Sequence, residues 1–92
     1  MKIDFDVVGV VSDSDIESII ASTKIRRAGI PCETFFTRNI KKQMKKSSNL
    51  GAVVIITNGK YAIKDMITGN QKDLDGDLVE AIRDVLENGY YE

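Results

Sequence analysis

Apolar positions along the chain follow two periods in turn. Residues 5–11, Phe-Asp-Val-Val-Gly-Val-Val, form a near-continuous apolar run, the pattern of a strand buried on both faces. Gly9 inside it marks a close approach by a helix. Ile16, Ile19, Ile20 and Thr23 then recur at helical spacing and continue into Ala21, Ile25 and Ala28. This predicts a helix of about three to four turns with those positions as its apolar face. Asp13, Ser14 or Asp15 caps its start, and Gly29 with Pro31 ends it. Residues 32–36 read as a second strand. Residues 37–46, Thr-Arg-Asn-Ile-Lys-Lys-Gln-Met-Lys-Lys, return to helical spacing. Ile40, Met44 and Ser47 share one edge of that helix, while Lys41, Lys42, Lys45 and Lys46 share the opposite face.

Residues 52–57 form a third apolar run, followed at once by Asn58-Gly59, the strongest hairpin signal in the chain. A fourth, antiparallel strand follows over residues 61–66. Thr68-Gly69-Asn70 predicts a second turn, and residues 71–74 a short edge strand. Asp75 or Asp77 caps a last helix with Leu78, Val79, Ile82, Val85 and Leu86 on its apolar face, and Asn88-Gly89 closes it. Two βα units followed by a hairpin require a mixed sheet with helices on its faces.

Ninety-two residues with 42% hydrophobic and 29% charged content make one small domain with one core and no room for a large enclosed active site. No apolar run approaches the roughly 18 residues of a membrane helix. Asp4 and Asp6 interrupt the N-terminal stretch where a signal peptide needs its apolar core. The single cysteine, Cys32, excludes an intramolecular disulfide, fits a reducing compartment and reads as a small buried hydrophobe. The chain has no histidine, which removes the commonest general base and metal ligand.

Net charge is −1, but its distribution is uneven. Between Lys24 and Lys46 stand eight basic residues and one acid, Glu33, so that segment carries +7 and the remainder −8. Such asymmetry points to a local polyanion-binding face on an acidic body. In open α/β sheets ligands bind beyond the carboxyl ends of the parallel strands. Here those ends carry Ser12-Asp13-Ser14, Thr37-Arg38-Asn39 and Thr57-Asn58, and the lysine helix begins at the same edge. Arg38 offers planar, bidentate donors, and Asn39 and Asn58 can pair with base edges or sugars. Asp13 and Asp15 suit a hard cation, although helix capping is the stronger reading. Glycine-rich phosphate loops are absent. The start Ser12-Asp13-Ser14-Asp15 is similar to that of the purine carboxylase mutases, but the histidine motif of that family is missing.

Ala28-Gly29-Ile30, Arg38, Ile40-Lys41-Lys42-Gln43 and Gly51-Ala52 form one ordered set of motifs. Ile63-Lys64-Asp65-Met66 and Thr68-Gly69-Asn70-Gln71 complete it. Together with the closing helix they resemble the anticodon-binding domain of class IIa aminoacyl-tRNA synthetases, and most of all that of histidyl-tRNA synthetase. The resemblance covers essentially the whole chain. It implies a three-layer α/β/α fold with a five-stranded mixed sheet, order 2-1-3-4-5, strand 4 antiparallel. It implies a single domain over residues 1–92, the C-terminal piece of a larger cytoplasmic, homodimeric enzyme. This piece would grip the anticodon stem-loop of histidine tRNA and would itself hold no cofactor and catalyse nothing. ATP and Mg²⁺ would serve the catalytic domain elsewhere. The loop between strands three and four, longer and acidic in that family, is here only residues 57–60.

Anticodon bases are unstacked in a loop, so side chains can read their edges or stack on them. On this reading Arg38 contacts a base or a phosphate, Lys41, Lys42 and Lys45 contact phosphates, and Asn39 and Asn58 contact base edges. Tyr61 is the stacking candidate. Phe35 and Phe36 are expected in the core, Arg26 and Arg27 on solvated surface, and Gln43 in either packing or function. The alternative is a non-catalytic relative of the same fold, stand-alone or fused, acting as an RNA sensor or a dimerisation module.

Overall fold

Five strands and three helices succeed one another as β1 (Val8–Ser12), α1 (Asp15–Arg27), β2 (Cys32–Thr34), α2 (Ile40–Lys46), β3 (Ala52–Thr57), β4 (Lys60–Asp65), β5 (Gln71–Asp73) and α3 (Leu78–Asn88). The structure, a computed structural model, describes residues 7–36 and 39–89. Phe5 and Asp6 of the predicted first strand, and Thr37 and Arg38, lie outside them. The sheet has the order β2-β1-β3-β4-β5. β1 runs parallel to β2 and β3, and β4 runs antiparallel to β3 and β5. This is the mixed five-stranded sheet expected from the sequence.

Strand alternation divides the sheet into two faces. Val8, Val10, Ala52, Val54, Ile56 and Ile63 enter one core with Ala21 and Ile25 of α1 and Ile82 and Val85 of α3. Gly9, Val11 and Val53 belong to the other parity and meet the α2 side. A Cβ on Gly9 would stand 2.9 Å from Leu50 Cδ1, 3.2 Å from Val53 Cγ2 and 3.4 Å from Phe35 Cε2. The close approach at Gly9 is therefore real, but side chains of Leu50 and Phe35 make it rather than a helix.

Local signals account for most boundaries. Asn58 at φ 52° and Gly59 at φ 73° form the two-residue turn whose twist matches a hairpin, and Thr57 pairs with Lys60 across it. Ser14 caps α1 by accepting from the Glu17 N–H at 3.4 Å, and Asp77 caps α3 by accepting from the Glu80 N–H at 3.0 Å. Gly29, at φ 83°, closes α1, with the Ile30 N–H donating back to the Ile25 carbonyl at 3.3 Å. Arg83 of α3 donates to the Ala28 carbonyl at 2.8 Å and ties the end of α1 to the closing helix. Arg26 is not simply solvated. Its guanidinium donates to the Cys32 carbonyl at 3.0 Å and to Thr34 Oγ1 at 3.3 Å. Cys32 itself is half-buried, and that burial pushes its thiol pKa up.

Two further expectations are corrected. Only part of the predicted apolar set of α1 faces inward: Ala21 and Ile25 are buried, but Ile16, Ile19 and Ile20 are 71%, 53% and 45% exposed. The face on the sheet is Ser18, Ala21, Ser22 and Ile25. Ile25 lies about 180° from Ile16 on the wheel, so helical spacing fits both faces and cannot choose between them. Small side chains win the inner side because α1 packs on β1, on β2 and on α3 at once. Phe36 is also not core. β2 ends at Thr34, and Phe36 beyond it is 51% exposed.

The turn joining β4 to β5 explains the motif Lys64-Asp65-Met66-Ile67-Thr68-Gly69. Asp65 Oδ1 accepts from the Ile67 N–H at 2.8 Å and the Thr68 N–H at 3.2 Å, and the Gly69 N–H donates to the Asp65 carbonyl at 2.8 Å. These donors, Ile67 first and Thr68 after it, hold the Asp65 carboxyl below its ordinary range.

Urea denaturation of dilute protein tests the two faces of α1. Ile25→Ala is expected to cost about 2–5 kcal/mol and Ile16→Ala to stay within about 0.5 kcal/mol of wild type. The reverse ranking would refute the assignment. A pH series tests the turn. Because the folded-state pKa of Asp65 is depressed, its contribution is present above the unfolded carboxyl range and disappears as pH falls through the folded value. Wild type should therefore exceed Asp65→Ala in stability near neutrality, with the difference closing below about pH 4. A gap that persists in acid would exclude this cause.

Candidate nucleic-acid interface

The site begins where β2 stops. The Phe35 N–H still donates to the Val10 carbonyl at 3.2 Å, and then the chain leaves the sheet. In a parallel strand the N–H and C=O of one residue point to the same neighbour, so Ser12, two residues beyond Val10, faces a missing partner. Gln43 of α2 fills that place. Its Oε1 accepts from the Ser12 N–H at 2.9 Å and its Nε2 donates to the Ser12 carbonyl at 2.8 Å. The side-chain amide thus continues the β2–β1 ladder by one rung and fixes α2 over the carboxyl end of β1. Gln43 is the buried position of this helix and Ser47 its buried C-cap, while Ile40 and Met44 are half-buried. The docking edge is rotated by about 60° from Ile40 toward Gln43 compared with the sequence expectation.

That anchoring turns Lys41, Lys42, Lys45 and Lys46 to solvent, and all four are exposed. Asn39 is the N-cap: its Oδ1 accepts from the Lys41 N–H at 2.9 Å. α2 therefore starts at Ile40 rather than Thr37, with exposed Phe36 shortly before it. Arg38 lies outside the described residues.

The remaining predicted residues gather at the same edge but not around α2. Asn58 is exposed at the hairpin tip, and its N–H donates to Asp13 Oδ2 at 3.3 Å. The Asp13 N–H donates to the Ile56 carbonyl at 3.3 Å. Tyr61 is half-buried on the α1 side of the sheet, and its hydroxyl donates to Glu17 Oε2 at 2.9 Å. Burial, then the Glu17 carboxylate, push the tyrosine pKa up. Acids line this α1 side (Asp13, Asp15, Glu17), so the edge is split. It is basic where α2 lies and acidic where α1 begins, and a polyanion is drawn to the α2 side.

The sequence pointed to the lysines but not to the residue that places them. Gln43 carried a signal in its position, one step past Lys42 toward the apolar edge. Phe36 carried none, because an exposed aromatic after a short strand looks like the last residue of a longer one. Among the described residues no cluster of three His, Cys, Asp or Glu could hold a metal ion, and no helix is long and apolar enough to cross a membrane.

No family model matches the chain, and no curated protein matches it in sequence. Among solved structures it is similar to histidyl-tRNA synthetase from Nostoc sp. PCC 7120, at 29% identity over 83% of this chain with a TM-score of 0.69. The likeness read from the motifs is borne out in the fold. The chain spans 20% of the length of that synthetase.

Chemical or thermal denaturation tests the anchor. Gln43→Ala would leave the Ser12 N–H and C=O buried without partners and should cost about 2–4 kcal/mol. Lys42→Ala, at the adjacent but exposed residue, should change stability by no more than about 0.5 kcal/mol. Equal, small effects would show that the clasp does not hold the helix.

Proposed function

We propose that this chain is the anticodon-binding domain of a larger histidyl-tRNA synthetase and that its α2 side grips the anticodon stem-loop of histidine tRNA. The observation that carries this reading is the exposed lysine face of α2, pinned by Gln43 at the ligand-binding edge of a fold similar to part of such a synthetase. Lys41, Lys42 and Lys45 hold phosphates. Arg38, which precedes the cap in sequence, contacts a base or phosphate. Phe36 offers a ring for an unstacked base and replaces Tyr61 in that role, since the tyrosine is half-buried and packs against the core on the α1 side of the sheet, away from the lysines. Asn39 positions the helix through its cap, and Asn58 remains the base-edge candidate at the turn. ATP, Mg²⁺ and histidine are handled by a catalytic part outside these residues. Attachment of histidine to its tRNA, in a homodimeric enzyme of the cytoplasm, is the reaction this grip serves.

Fluorescence anisotropy with the anticodon stem-loop across a salt series tests the reading. Lys42→Glu and Arg38→Ala should weaken binding. Each lost phosphate contact should lower the slope of log K against log salt by about 0.7 to 0.9. Phe36→Ala should cost about 1–3 kcal/mol of binding with little change in that slope. Equal binding by wild type and all three variants at moderate salt would sink the proposal.

A further inference from the structure

The basic residues around α1 are not equivalent. Arg26 is tied to Cys32 and Thr34, and Arg83 of α3 reaches the Ala28 carbonyl. The side chains of Lys24 and Arg27 have no hydrogen-bonding or ion-pairing partner among the described residues, where the one ion pair joins Lys72 to Asp84. Both line a groove of about 510 Å³ between α1 and the start of α3. Ile20 and Ala21 of α1, Leu74, and Leu78 and Val79 of α3 supply its apolar wall, with half-buried Tyr61 beside them. That volume falls within the roughly 300–1,000 Å³ of small-molecule sites.

The charge on this lining is unbalanced. Lys24 and Arg27 are set against a single acid, Asp77, whose Oδ1 already accepts from the Glu80 N–H at 3.0 Å. Leu78 and Val79 open α3, where backbone N–H groups have no intrahelical acceptor and the helix dipole is positive. Arg27 can hold a carboxylate or a phosphate through two parallel hydrogen bonds, and Lys24 adds a compact positive charge. Asp15 and Glu17 at the beginning of α1 repel a long polyanion, so the fit is to a short molecule with one charged end. Its other end must be apolar, because the rest of the wall is apolar and the Tyr61 hydroxyl is already donated to Glu17.

We propose that this groove binds a small amphipathic anion, a molecule with an apolar body against Ile20, Ala21, Leu74 and Val79 and one carboxylate or phosphate group held by Lys24 and Arg27. The groove lies on the α1 side of the sheet, opposite the lysine face of α2, so its occupant and an RNA do not compete for the same residues. An occupant that touches both α1 and α3 joins two elements that pack on one core, and it stabilises the fold as its concentration rises above Kd.

Fluorescence titration of the 92-residue chain with anilinonaphthalene sulfonate tests this, with phenylnaphthylamine, the same aromatic body without the anionic group, as the uncharged comparison. The anionic probe should bind once per chain and roughly tenfold more tightly than the uncharged one. Lys24→Gln and Arg27→Gln, both at exposed positions, should each weaken the anionic probe roughly threefold or more and leave the uncharged one unchanged. Ile16→Ser, on the outer face of α1 and outside the groove, should change neither. Decanoate or decyl phosphate, below their micellar concentrations, should displace the probe, and the stronger of the two identifies the head group as carboxylate or phosphate. Decanol should be the weaker competitor. The proposal is overturned by equal affinity for the two probes, by glutamine variants that bind the anionic probe as wild type does, or by failure of both acids to displace it. It is equally overturned by loss of binding in Ile16→Ser, which places the probe on the exposed isoleucines. A wild type that binds neither probe also overturns it, the result expected where the groove serves a segment of a longer polypeptide.

Discussion

The two hydrogen bonds between the Gln43 amide and Ser12 solve a problem set by the topology. β1 lies inside the sheet and needs partners on both edges along its whole length. β2 is only three residues long and leaves β1 before β1 ends. The exposed rung would be a buried, unpaired N–H and C=O, each costing about 1–3 kcal/mol. A carboxylate could accept but not donate there, and an aliphatic side chain could do neither. An amide does both at once. The same contact brings the helix that carries Gln43 against the carboxyl end of β1, and this aims four lysines at solvent beside that edge. Satisfying the backbone and placing the cationic face are one event.

The sheet separates two surfaces of different character. On one side α2 presents lysines, with exposed Phe36 close in sequence to its cap. On the other, α1 begins with Asp15 and Glu17, shows three isoleucines to solvent and ends in Lys24, Arg26 and Arg27. The net charge of −1 averages over both and describes neither. A polyanion is attracted by one surface and repelled by the start of α1, so the acidic remainder of the chain limits where a polyanion can approach.

Much of this was legible from residues alone, where the physics is local. Asn58-Gly59 demands a two-residue turn, and both residues adopt positive φ. Ser14 and Asp77 cap the helices that follow them, and the hydrophobic runs give the strands, while their order in the sheet came from the family resemblance. What was misread depends on distant neighbours. The isoleucines of α1 satisfy helical spacing as well as Ala21 and Ile25 do, and only the crowding of α1 against two strands and α3 decides which face turns inward. Phe36 was assigned to a strand that ends two residues earlier because β1 finds its last partner in a side chain. The place of Gln43 beside the apolar edge of its helix leaves packing and function both open. Its role exists only once Ser12, 31 residues away, is brought beside it.

The most direct measurement of where RNA meets this fold is a backbone amide NMR titration with the anticodon stem-loop of histidine tRNA. Perturbations are expected to concentrate at residues 36–47 and at the hairpin tip around Asn58, with the outer face of α1 and α3 largely unmoved. A response centred on α1 and α3, or no response at low salt, would contradict the account.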